Sequence, residues 1–312
     1  MSTADLTNPI FTDETAAREY LEANRWPNEV SCPHCGSVEG ITKMQGKSHR
    51  PGLFLCGACR GHFTVTVGTV YERSHIPLHK WLLATHLMTS SKKGISAHQL
   101  HRMLGITYKS AWFMAHRIRE GMTDKGMEPM GGEGKTVEAD ETFIGQKQGY
   151  TKDSGAHHKM AVVTLVERGG KSRSFKVDKV TAADVVPIVR ANIAKESRFM
   201  TDEARWYWKV GNEFLVHGSV AHKKGEYARG TIHTNTVEGF YSIFKRGMKG
   251  VYQHCGEQHL HRYLAEFDFR YSNRVKLGVS DKERAEKALK GIAGKRLTYR
   301  RTDKRPEAPS LG

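Results

Sequence analysis

Three acids in this chain stand where they could converge on one point. Asp140 lies in the run Lys135 to Gly145 (KTVEADETFIG), where residues alternate as on a strand. Asp202 closes a second strand-like run, Phe199-Met-Thr-Asp-Glu203. Glu238 sits in the basic, amphipathic stretch His233 to Gly250 (HTNTVEGFYSIFKRGMKG), where Phe240, Ile243, Phe244 and Met248 recur at helical spacing. Lys245 follows Glu238 by about two helical turns and shares its face, which Asn235 joins from one turn before; Arg246 adds a further positive charge. Carboxylate oxygens are hard ligands that suit Mg²⁺ or Mn²⁺. Two such ions about 3.5–4 Å apart activate an attacking oxygen and stabilise a leaving oxygen in an in-line phosphoryl transfer. Taken alone, Glu238 and Lys245 would equally suit an ordinary surface helix.

The elements around these acids describe a mixed sheet flanked by helices. His158 to Glu167 and Arg173 to Asp178 read as two more strands joined by a turn at Gly169-Gly170-Lys171. Thr181 to Lys195 reads as a helix with Thr181 as its cap and Pro187 as a blemish. Phe214 to His217 reads as a further short strand, and Gly256 to Arg274 as a core helix whose Arg270 and Arg274 could reach phosphates. Trp206, Tyr207 and Trp208 either anchor the helix after Asp202 or stack on bases. His217, His222 and His233 are either ordinary structural residues or helpers near Glu238.

Upstream, Cys32-Pro-His-Cys35 and Cys56-Gly-Ala-Cys59 are separated by 20 residues, the layout of a zinc ribbon. Each tight turn aims two sulfurs at one metal, and two turns complete a tetrahedron. Four cysteine ligands close the site, so the expected Zn²⁺ is structural. Gly36 and Gly57 suit the left-handed conformations of such turns, and Gly52 to Leu55 and His62 to Val67 read as short strands. The fifth cysteine, Cys255, has no partner and reads as an ordinary thiol.

Leu78 to Met122 is helical in pattern. Ser96 caps one short helix, Gly105 ends it and Thr107 caps the next. Two helices joined by a tight turn make either a helix-turn-helix, with Lys109, Arg117 and Arg119 presented to a DNA groove, or a hairpin that only links domains. Met122 to Gly134 is rich in Gly and reads as a linker.

Together the runs CPHCGS, CGACRGHFTVTVGTVYERSHIPLHKW, GITYKSAWFMAHRIRE, VEADETFIG, MTDEA, HTNTVEGFYSIFKRGMKGVY and HLHRYLAEFDFRYSNR resemble a bacterial insertion-sequence DDE transposase of the ISXO type with an N-terminal zinc ribbon. The resemblance spans about Phe11 to Tyr271. It implies an α/β, RNase H-like catalytic domain and a DDE triad falling on Asp140, Asp202 and Glu238, which would hold two Mg²⁺ or Mn²⁺ ions. It also implies that Lys245 contacts DNA near the transposon end. Some relatives carry Asn as the third residue, which leaves Asn235 and Glu203 as substitutes for Glu238. The implied reaction is hydrolysis at the terminal inverted repeats, then transfer of the freed 3′-hydroxyls into target DNA, by a homodimer or larger synaptic assembly. A catalytically inactive or domesticated DNA-binding derivative is the rival reading.

The totals agree. Lys plus Arg number 49 against 33 Asp plus Glu, so the net charge of +16 favours a polyanionic partner such as double-stranded DNA. No segment has the roughly 20 apolar residues of a membrane span, and the N-terminus lacks the layout of a secretory signal, so a cytoplasmic, nucleoid-associated protein is expected. No G-x-x-x-x-G-K-[ST] loop occurs, in keeping with chemistry that needs no ATP. The expected organisation is a helical segment at 1–27, the zinc ribbon at 28–75, the helix-turn-helix-like region at 76–123, the catalytic domain at 135–276 and a basic tail at 277–312, rich in Lys and Arg at 295–305.

Overall fold

The computed structural model describes residues 5–123, 128–147, 149–151 and 155–298. Helix α1 (Glu14–Arg25) opens on Asp13, whose carboxylate accepts from the Ala16 N–H. Strands β1 (Ile41–Lys43), β2 (Phe54–Cys56) and β3 (His62–Phe63) form a small antiparallel sheet in that order. Helices α2 (Leu78–Ser90), α3 (Ala97–Leu104) and α4 (Tyr108–Met122) follow. Ser96 and Thr107 accept from the Gln99 and Ser110 N–H groups, and Gly105 ends α3 in the left-handed region at φ 59°.

The second half is built on a sheet that has, among the described residues, five strands. These are β4 (Thr136–Ile144), β5 (Met160–Glu167), β6 (Ser172–Val177), β7 (Arg198–Thr201) and β8 (Val216–Ser219), in the spatial order β6-β5-β4-β7-β8. The first three pair antiparallel, and β4, β7 and β8 pair parallel. This is the RNase H-like mixed sheet that the resemblance implied. Helices α5 (Ala182–Asn192) and α6 (Arg205–Gly211) lie between strands in sequence. A two-stranded ribbon, β9 (Ala228–Arg229) and β10 (Ile232–His233), leads into α7 (Asn235–Gly247), a π-helical turn (Met248–Tyr252), α8 (Leu260–Ser272) and α9 (Asp281–Lys290).

Both sheet faces are covered. On one, Val137 and Ala139 pack with Val185 and Val189 of α5 and Tyr207 of α6. On the other, Val162 and Val166 pack with Val237 and Phe244 of α7 and Leu264 and Phe267 of α8. A third core joins Leu21, Phe54, Phe63, Trp81, Leu100, Met114 and Ile118, so α1, the small sheet and α2–α4 bury one another.

Leu289 and Ile292 complete that third core, so the expected basic tail opens with a folded helix. A capping box at Ser280 and Glu283 starts α9, a local signal the charge count obscured. The end of the basic run and the final PEAPSLG lie outside the described residues, as do 124–127 of the expected linker. Elsewhere in that linker, Met130 bridges Ile193.

Arg117 and Arg119 require a correction. They were expected to face a DNA groove, but both are buried. Arg117 donates to the Glu72 carbonyl and lies over Trp81 and Phe113. Arg119 meets Glu266 at 2.7 Å, and Glu266, with no side-chain exposure, also binds Arg270 and the Tyr252 hydroxyl. Arg270 is therefore an interior cation too, and Arg274 spends donors on the Gly170 and Tyr271 carbonyls. Fully desolvated charges hold together only as a set. Glu266→Ala strands two guanidinium groups and should cost about 3–5 kcal/mol in urea denaturation followed by tryptophan fluorescence; a loss under about 1 kcal/mol would show the hub to be dispensable.

Candidate active site

Strand pairing brings the first two acids together. β4 and β7 pair at Thr136–Arg198, Val137–Phe199 and Glu138–Met200, so the strand that carries Asp140 runs beside the strand that Asp202 directly follows. Glu141 joins them: one oxygen from each of Asp140, Glu141 and Asp202 lies within 4.8 Å of the others. Strand alternation puts Glu141 on the face opposite Asp140, which is why the sequence gave no reason to include it. Trp206 Nε1–H at 2.9 Å and the Tyr207 hydroxyl both donate to its Oε1 from α6. Trp206 and Tyr207 thereby anchor α6 to β4, while Trp208 is exposed.

No ion pair reaches these three acids among the described residues. Burial, then the charges of Glu141, Asp202 and Glu238, pushes Asp140 up to about 8, against the opposing Glu141 N–H. Burial likewise lifts Glu141 to about 7, opposed by the Tyr207 and Trp206 hydrogen bonds. Asp202 is raised by burial and partly held down by the Ala204 N–H. Three crowded acids without an ion-paired cation among the described residues fit divalent metal.

Glu238 stands apart from this cluster, on the first turn of α7. It accepts from the Thr234 hydroxyl at 2.9 Å and lies 3.6 Å from His222 Nε2. Asn235 is exposed beside it. Glu203, the other substitute, accepts from the His222 and Lys223 N–H groups and so caps a turn. His217 stacks on Phe199 and meets the Thr201 hydroxyl, a structural role. Farther along α7, the Tyr241 hydroxyl donates to the Asp140 carbonyl at 2.6 Å, and Lys245 Nζ lies 5.8 Å from the Tyr241 ring centre. Arg246 is exposed and bonds back to Ser242, and Lys109 is exposed at the start of α4.

Glu138 is the residue that fixes α7 here, and sequence reasoning passed over it. Fully buried, it accepts from the Thr236 and Val237 N–H groups at 2.7 and 2.9 Å and from the Thr236 hydroxyl at 2.8 Å. A carboxylate there satisfies orphan amides and meets the positive end of the helix. Arg168 at 2.6 Å balances its charge and also donates to His233 Nδ1 at 3.0 Å. One strand thus carries both Asp140 and the clamp for the helix bearing Glu238.

The four cysteines form the other cluster, with Cys32–Cys59 and Cys35–Cys56 sulfurs each 3.7 Å apart. A tetrahedron with Zn–S of about 2.3 Å has sulfurs about 3.8 Å apart, so the set fits zinc. The two knuckles are alike: the Cys32 N–H donates to the Ser37 carbonyl and the Cys56 N–H to the Gly61 carbonyl. Gly36 is left-handed as expected, but its counterpart in the second knuckle is Arg60, not Gly57. Gly57 is constrained instead by space, since a Cβ there would sit 3.0 Å from the Gly40 carbonyl oxygen. Cys255 is a buried thiol, pushed up to about 12 by burial.

Two family models match this chain: an ISXO2-like transposase domain over residues 131–272 and a transposase zinc-ribbon domain over residues 12–62. Residues 131–272 are thus similar to an ISXO2-like transposase domain, and residues 12–62 to a transposase zinc ribbon. It is also similar to an uncharacterized protein in transposable element ISH50 of Halobacterium salinarum, at 27% identity over 282 residues, covering 83% of this chain and 91% of that one. The ISXO2-like domain contains Asp140, Glu141, Asp202, Glu238 and Lys245, and the zinc-ribbon match contains all four ligand cysteines. Among the described residues, no helix of this chain is long and apolar enough to cross a membrane.

The raised acids set a pH signature. Between the ordinary value of 3.8 and about 8 the folded protein keeps the Asp140 proton that the unfolded chain has lost. Stability of the metal-free protein therefore falls as pH rises through that window and flattens above it, a change on the order of a few kcal/mol. Asp140→Asn should flatten this slope and raise Tm at pH 8. Added Mg²⁺ should stabilise the wild type and not the variant. Scanning fluorimetry from pH 5 to 9 checks both, and an unchanged slope in the variant counts against the assignment. Glu138→Gln leaves Arg168 without its counter-ion at the base of α7. It should keep the helical circular dichroism yet weaken Mn²⁺ binding about 10–100-fold by titration calorimetry; wild-type affinity would rule out the clamp.

Proposed function

We propose that this chain is an active DNA transposase that hydrolyses the strand at its element's terminal inverted repeats and joins the freed 3′-hydroxyls to target DNA. The observation that carries the reading is the gathering of Asp140, Glu141 and Asp202 oxygens within 4.8 Å of one another, inside the matched transposase domain. Bound Mg²⁺ or Mn²⁺ there would supply activation of the attacking oxygen and neutralisation of the leaving one. Asp140 lies on β4, and Asp202 directly follows its parallel neighbour β7. Glu238 is the third acid of the triad, held by Thr234 and raising Asp140 through its charge. Lys245, on the Tyr241 side of α7, grips a phosphate beside the cut, with Asn235 and Arg246 exposed along the same helix. Lys109 offers a phosphate contact from α4. The ribbon is held by one structural Zn²⁺ through Cys32, Cys35, Cys56 and Cys59. Pairing of two element ends calls for at least a dimer, acting on the cell's own DNA in the cytoplasm.

The test is cleavage and strand transfer on the inverted repeats with Mg²⁺ or Mn²⁺. Wild type should cut and join, Asp140→Asn and Asp202→Asn should each lose about a thousandfold or more, and Glu238→Gln should follow them. If Glu141→Gln is inactive while Glu238→Gln retains cleavage, the third acid is Glu141. DNA binding with no cleavage in any divalent metal favours an inactive derivative.

A further inference from the structure

A cavity of about 600 Å³ opens between the β4–β5 connection and the chain entering α5. Phe143 and Tyr150 line it with rings that are 40% and 55% exposed. Lys147, Lys159, Lys179 and His157 line it as well. Lys147 spans the space: its ammonium lies 5.8 Å from the Tyr150 ring centre and donates to the Asp178 carbonyl at 3.0 Å. Two acids, Asp178 and Glu257, also border the cavity, and both lie by Lys176, at 3.7 and 2.9 Å. The uncompensated charge of the lining is therefore positive.

The cavity is close to the acids. Phe143 follows Glu141 by two residues on the same face of β4, about 7 Å along the strand. Ala161, its partner on β5, also borders the cavity. Exposed rings in a basic concavity suit a nucleic-acid strand whose bases offer their faces. A paired duplex hides those faces in its own stack, so the rings meet a base only where one is unpaired or turned out. The volume is within the range of pockets that take a small molecule.

We propose that this cavity binds an unpaired nucleotide of the DNA strand next to the cut, its base stacked on Phe143 and Tyr150 and its phosphate met by Lys147, Lys159 and Lys179. The inference rests on the reading of a DNA-cutting site and adds a base-binding pocket to it. It is tested without catalysis, by fluorescence anisotropy of the full-length protein in EDTA. The probes are a short labelled single strand, the same strand with abasic residues, and its duplex. Phe143→Ala and Tyr150→Ala should each weaken single-strand binding about tenfold, while Tyr150→Phe binds as wild type. Duplex binding, and binding of the abasic strand, should not respond to either alanine variant. Equal losses on single strand and duplex, or no loss on the single strand, would overturn the pocket. Loss of the cleavage reading leaves these binding differences standing, and cleavage by a protein whose single-strand binding ignores both rings removes the pocket alone.

Discussion

The parallel pairing of β4 with β7 runs the strand of Asp140 beside the strand that leads to Asp202, and most of the second half of the chain follows from it. Backbone hydrogen bonds, not attraction between side chains, bring the two acids near each other, because the side chains repel. Burial first, and then the charges of Glu141, Asp202 and Glu238, push Asp140 upward. Such an arrangement survives only if the surrounding frame is stiff. The frame is β5 against β4 over eight residue pairs and helices on both faces.

Two contrasting kinds of buried acid stand out among the described residues. Glu138 is met by Arg168, and Glu266 by Arg119 and Arg270. They complete their electrostatics within the chain and hold helices in place. Asp140, Glu141 and Asp202 have hydrogen bonds from Ala204, Trp206, Tyr207 and the Glu141 amide but, among the described residues, no ion pair, although Lys223 and His222 lie near enough to Asp202 to lower it. Their charge is thus not balanced by a contacting cation within the chain, which fits a site completed from outside.

Much of this was legible in the sequence wherever the deciding interaction is local. The caps at Ser96 and Thr107, the left-handed Gly105 and the two cysteine pairs depend on neighbours within a few residues. Asp140 and Asp202 were legible as acids on strands, though not the strand pairing that brings them near each other. What escaped depends on distant partners. Arg119 looks like any basic residue on a helix until Glu266, 147 positions away, is seen against it. Glu138 looks like one more acid on a strand until the α7 amides, 98 and 99 positions on, are seen pointing at it. Glu141 stands out only once Trp206 and Tyr207 of α6 are seen bonded to its carboxylate. The rest of the candidate triad, Glu238 with Lys245 on its face, was read from helical spacing alone, and its part in the site is a matter for the variants.

The Glu266 hub also explains how the two halves of the molecule are joined. Arg119 belongs to α4 and Arg270 to α8, while Tyr252 closes the π-helical turn that extends α7. The same turn is pinned from the other side. A Cβ at Gly94, just before α3, would sit 1.8 Å from the Tyr252 hydroxyl oxygen, and one at Gly247 would sit 2.6 Å from the Lys93 carbonyl oxygen. Only glycine allows the approach to α3 and the end of α7 to lie this close. The loop leading into α3 therefore rests directly on the far end of the helix whose first turn carries Glu238 and is clamped by Glu138. A helix held at both ends resists rotation, and rotation of α7 is the motion that would move Glu238 and Lys245 relative to Asp140.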